Sequence, residues 1–239
     1  MRDDAPAPVI SAPSRFLTLL QLCDTALPIG AFSLSNGLET YTQQGLVYDA
    51  ATLQTWLETV LRHVVHGSHL LPVALAYRAA STADWGQLKR LDQRLTAMKH
   101  ARELRETSIR TGQSLLKLAR QVWPGPALEH LGALQQQGKV APHHALVLGV
   151  LGCELGWDER VIVEAAGYQW LSGTVSAALR LLPLGQRAGQ QVLSSLLASL
   201  PALAADIQQQ GWDDLFSAAP EFDIRAMQHE TLYSRLFQS

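Results

Sequence analysis

The sequence predicts an all-α fold, an irregular helical bundle in a single domain, with no significant β-sheet. Three observations carry that expectation. Apolar residues recur at three- and four-residue spacing, the mark of amphipathic helices. The residues between them are largely Leu, Ala, Gln and Arg, which are good helix formers. No run alternates polar and apolar residues, and no hairpin signal occurs. No heptad persists, so a coiled coil is not expected, and there is no internal repeat.

The elements follow in chain order. Residues 1–14 are acidic and proline-rich and lack the apolar stretch of a secretory signal, so a disordered lead-in is expected. A helical domain is expected over 15–220 and a tail over 221–239. Leu27 to Glu39 reads LPIGAFSLSNGLE and sets Pro28, Gly30, Ser33, Ser35, Asn36 and Gly37 between two apolar, helix-like segments. Such a run shapes the backbone, allows close approach or binds something. Between Asp49 and Leu71, Leu53, Trp56, Leu57, Val60, Leu61, Val64 and Val65 form one helical face, which Pro72 is expected to kink or break. Asp84 reads as the N-cap of a helix through Leu88, Leu91 and Leu95. The next helix is expected from about Lys99 to Val122, stopped by Pro124-Gly125-Pro126. Pro142 suits the first turn of a helix running to about Leu155. Asp158 is expected to cap a helix to about Leu182. That helix is apolar nearly all round, interrupted by Gly167 and Gly173, and is expected at the centre of the core. Gly185 to Leu200 and Ala202 to Gln210 read as further helices.

Composition limits the function. Charged residues make up only 17% of the chain, below the usual quarter, so much helical surface is expected to be hidden in a core, a second copy or a partner. The net charge of -2 leaves no electrostatic footprint for nucleic acid. Cys23 and Cys153 form neither a disulfide framework nor a thiolate zinc cluster. No apolar stretch is long enough to span a bilayer, and the cytoplasm is the expected location.

Several chemistries fail on spacing. A phosphate loop needs grouped glycines followed by Lys, but Gly30 and Gly37 are seven apart and no Lys or Arg lies between Asp24 and Arg62. His63, His66 and His69 spread around a helix with no acid close by, so a tight metal site is not expected. A weak or transient metal contact at His63 and His66 stays open. His143 and His144 are adjacent, so their rings diverge on a helix. Ser35 does not lie in a GxSxG elbow. Arg102, Glu103, Arg105 and Glu106 read as a solvated, ion-pair-rich face. The C-terminal EFDIRAMQHETLYSRLFQS carries Arg225, Met227, His229, Tyr233, Arg235 and Phe237, residue types enriched at interfaces. A last helix packed on its own domain explains them equally well.

Four stretches together resemble the urease accessory protein F (UreF) family: LLQLCDTALPIGAFSLSNGLETYTQQGLV (Leu19 to Val47), RELRETSIRTGQSLLKL (Arg102 to Leu118), LRLLPLGQRAGQQVL (Leu179 to Leu193) and FDIRAMQHETLYSRLFQS (Phe222 to Ser239). Cys23-Asp24-Thr25 departs from the small residue and Ser-Pro of many members, and His143-His144 from the more usual His-Tyr. The resemblance implies an all-α, non-catalytic homodimer with no tightly bound cofactor. Proteins like it bind the accessory protein D/H, recruit the nickel-carrying GTPase G and dock on apo-urease, with nickel passing through the complex. It places Tyr233, Arg235, Phe237 and Ser239 in the tail that meets D/H. It places Arg180, Gln186 and Gln190 on the segment facing the GTPase, with Tyr168 a further candidate there. Phe32 would lie near the dimer and partner surface, with Gly30 and Gly37 allowing close packing. An independent metal-dependent helical enzyme, and a helical dimer with unrelated partners, are the competing expectations.

Overall fold

The computed structural model describes residues 14–237. It is an all-α domain, with no β-strand among the described residues. The first helix, α1 (Arg15–Cys23), begins where the Ser14 side chain accepts the Leu17 N–H. A loop containing a 3₁₀ turn (Ala31–Ser33) leads to the short α2 (Leu38–Gln43). Asp49 and Thr52 form a reciprocal capping box that starts α3 (Ala50–Val60).

Pro72 does not break the chain direction as expected. Leu61–Leu70 is wound as a π-helix, and α4 (Leu71–Ser81) follows it directly. The Leu71 N–H reaches the His66 carbonyl five residues back. The wider turn changes the hydrogen-bond register just before the residue that has no N–H to give. The proline therefore falls in the first turn of α4, where it is tolerated.

Asp84 caps α5 (Trp85–Met98) by accepting the Gln87 N–H at 2.8 Å. The following helix, α6 (Arg102–Val122), starts three residues later than the sequence suggests and leaves Lys99 and His100 in the connection. Pro124-Gly125-Pro126 both stops α6 and starts α7 (Pro126–Gln136), with Pro126 in its first turn. Pro142 lies just outside α8 (His144–Glu154), where His143 takes the N-cap position. The two helices expected at Gly185 to Leu200 and Ala202 to Gln210 are α10 (Gln186–Leu197) and α11 (Leu200–Gln208), with Pro201 in the first turn of the second. Before them, α9 (Glu159–Leu181) runs unbroken through Gly167 and Gly173. The last helix is α12 (Pro220–His229).

The core is built around α4, α8 and α9. Helix α8 packs on α4 and α6, and α9 packs on α4, α8, α10 and α11. Every residue from Ala145 to Gly152 is buried, so the helix enclosed on all sides is α8 rather than the longer α9. The reason is charge. α9 carries Glu159, Arg160, Glu164 and Arg180, which keep one side toward solvent, whereas α8 has no acid before Glu154 and no lysine or arginine. Gly149 lets α8 approach α4 closely, because a Cβ there would stand 2.3 Å from the Val73 carbonyl oxygen. No helix among the described residues is long and apolar enough to cross a membrane.

Candidate functional site

The motif Leu27 to Glu39 and the C-terminal tail meet at one place. Gly30 (φ +80°) and Gly37 (φ +85°) hold left-handed backbone that places the 3₁₀ turn and starts α2. A Cβ on Gly37 would also lie 3.1 Å from the Phe222 ring, so that residue serves both backbone shape and close packing. Asn36 ties the loop to α9 by donating from Nδ2 to Thr174 Oγ1 at 2.7 Å.

Glu39 follows in the first turn of α2, where the helix dipole favours an acid. It is 2% exposed, and both oxygens are occupied. Oε1 accepts the Leu236 N–H at 2.7 Å. Oε2 accepts the Phe237 N–H at 3.1 Å and faces His229 Nε2 at 3.1 Å. The other nitrogen of His229 faces Glu103 Oε2 at 2.6 Å, and Arg235 donates to Glu103 Oε1 at 2.7 Å. Both ring nitrogens of His229 are thus held against carboxylate oxygens. Every one of these buried polar atoms therefore has a partner, which is the condition for burying such groups. Gln43 Nε2 donates to the Ser234 carbonyl at 2.9 Å, and Arg102 pairs with Glu230 at 2.7 Å. The tail from Ser234 to Phe237 is thus held on α2 and α6 chiefly through its backbone.

A second set of contacts adjoins the first. The Arg180 guanidinium lies between two aromatic rings, 4.3 Å from the centroid of Phe32 and 4.3 Å from that of Phe237. It also donates to the Phe32 carbonyl at 2.9 Å. Phe237 is 5% exposed and Phe32 is 62% exposed, so the stack runs from the interior to the surface. Tyr233 and Leu236 project outward from the docked tail and are exposed.

Residues that the sequence assigned to separate surfaces therefore share one cluster: Phe32, Arg180, Arg235 and Phe237. Gln186 and Gln190 lie exposed on α10, and Tyr168 is exposed on α9. Ser239 lies outside the described residues. Glu103 is not part of a simple solvated face, because it anchors His229 and Arg235. Glu39 was missed by sequence reasoning. Its signal was an acid set between two apolar residues' helix and a glycine turn, with no basic neighbour nearby in sequence.

Other polar candidates have their own surroundings. His66 Nε2 lies 2.7 Å from Gln210 Oε1 and its ring packs on Phe216, whereas His63 is exposed. No group of three or more His, Cys, Asp or Glu is placed to hold a metal ion among the described residues. His143 is fully buried between Thr96 Oγ1 and Ser108 Oγ, each at 3.0 Å, and burial pushes its pKa down to about 3. Asp92 accepts the Ala141 N–H at 2.7 Å, but burial pushes its pKa up to about 6.

The family model for UreF matches residues 47–197. Similar proteins cover nearly the whole chain. The urease accessory protein UreF of Microcystis aeruginosa is 37% identical over 226 residues, 93% of this chain and 97% of its own length. That of Methylorubrum populi is 35% identical over 223 residues, 93% of this chain and 98% of the relative. That of Arthrobacter sp. is 34% identical over 229 residues, 96% and 99% of the two chains.

Proposed function

Because the chain belongs to the UreF family of urease accessory proteins, we propose that it is a non-catalytic scaffold for urease maturation. In this reading it works in the cytoplasm as a homodimer. Its tail binds the D/H accessory protein, its α9–α10 region meets the nickel-carrying GTPase G, and the assembly delivers nickel to apo-urease.

The docked tail is the observation that carries this reading. Glu39 and Glu103 hold the backbone and basic groups of residues 234–237 and leave Tyr233 and Leu236 facing outward. A tail ordered in advance loses less entropy when a partner binds it. Exposed Tyr and Leu beside a charged, satisfied base provide an apolar contact with a polar rim. The direct contact of Arg180 with Phe237 supports a reading in which the tail and the end of α9 serve neighbouring partners. Phe16, Leu17 and Leu20 form a further exposed apolar face on α1, which suits a second copy of the chain.

Co-purification of the full chain with D/H and G accessory proteins tests the proposal. Complexes with both are expected. Absence of a complex with either would overturn it.

A further inference from the structure

A cavity of about 190 Å³ runs beneath the Arg180–Phe32 contact. Its outer end is bounded by those two exposed residues, and one part of its wall is aliphatic, with Leu22, Ile29, Val64 and Val65. For scale, an apolar cavity of about 150 Å³ accepts benzene. The space therefore suits a ligand of about seven non-hydrogen atoms.

Its polar lining includes the hydroxyls of Thr107, Ser108, Thr111, Ser172 and Ser176 beside several basic groups. Lys99, His69 and His144 all line it, and the two imidazoles are stacked with centroids 5.6 Å apart and planes 9° from parallel. Among the described residues, no carboxylate forms an ion pair with Lys99. Asp223 attracts it through space but pairs with His100 at 3.4 Å, and Asp24, at the wall, accepts the Ala26 N–H. Burial lowers the Lys99 pKa to about 8, which still leaves it mainly charged at neutral pH. Burial and the Lys99 charge keep the histidines neutral, with His144 pushed down to about 4. Gln169 also lines the cavity. Its Nε2 donates to the Leu22 carbonyl at 2.7 Å, while its buried Oε1 has no partner among the described residues.

An aliphatic wall, an ammonium without a salt bridge among the described residues and a buried acceptor lacking a donor together suit a small acid that also carries a hydroxyl donor. We propose that this cavity binds a small aliphatic carboxylate that carries a hydroxyl group. The carboxylate would pair with Lys99, the hydroxyl would donate to Gln169 Oε1, and the carbon chain would lie against the aliphatic wall. Two imidazoles could also take a soft cation, but the adjacent ammonium repels one.

Calorimetric titration of the full chain with 3-hydroxybutyrate tests the site. Saturable one-to-one binding is expected, at least tenfold weaker in Lys99→Met and at least tenfold weaker for the neutral analogue 1,3-butanediol. Nuclear Overhauser effects from the ligand methyl group to the His69 and His144 rings in the unaltered chain give a second readout that needs no variant. Absence of saturable binding, equal binding of the diol, or stoichiometric nickel binding at His69 and His144 would each overturn the proposal.

Discussion

Glu39 is buried and Lys99 half-buried, and their surroundings differ. Glu39 uses both oxygens on three partners that lie about 190 residues away in sequence. Lys99 has no salt bridge among the described residues and faces a cavity. In the first region, burial of charge joins distant parts of the chain and fixes where the tail sits. In the second, the ammonium lines a cavity with no carboxylate paired to it among the described residues. A satisfied buried network has the character of a structural clamp, and an unsatisfied one has the character of a binding site.

That contrast is sharpest under substitution. Glu39→Ala strands His229 and two backbone N–H groups, and breaking such a network costs about 3–5 kcal/mol. A large fall in unfolding temperature is expected, together with rapid proteolysis beyond His229. Lys99→Met removes a charge with no salt bridge and is expected to leave the unfolding temperature unchanged or raised. Equal losses in the two variants would break the comparison.

Acid titration probes two further buried groups. His143 has a folded pKa near 3 against an ordinary 6.5, so its stabilising contribution is present above pH 6.5 and is lost as pH falls toward 3. By pH 5 that loss is about 2 kcal/mol. Asp92 works in the opposite sense. Its folded pKa near 6 lies above its ordinary value of 3.8, so its contribution is present below pH 3.8 and is lost as pH rises through 6. Between pH 6.5 and 5 it returns about 1 kcal/mol. Denaturant unfolding at the two pH values is expected to show a net fall in stability, and a steeper one in Asp92→Asn.

A local effect is expected at the aromatic stack. Arg180→Ala removes two cation–π contacts near the surface, worth about 1–2 kcal/mol together. Fluorine labelling of Phe237 is expected to report a more mobile ring, with the helical circular dichroism unchanged. Loss of helical signal instead would assign Arg180 a packing role.

The helices were legible because their apolar spacing and caps are local: Asp84 caps α5 as its sequence position suggests. The response to Pro72 was not, because a π-helical turn shifts register over ten residues without any distinctive residue type. The tail residues were visible as interface types and through their family resemblance. Their anchor was not, because Glu39 and Glu103 lie 126 residues or more from His229, and nothing local pairs them. Glu103 sits among charges that suggest a solvated face, and only the three-dimensional return of α12 encloses it.

The central claim is that the docked tail is the partner-binding element. Binding of the D/H accessory protein should be measured for the full chain and for a chain ending at Leu232. At least a tenfold loss of affinity, with the helical circular dichroism retained, is the predicted result. Undiminished binding by the shortened chain would contradict it.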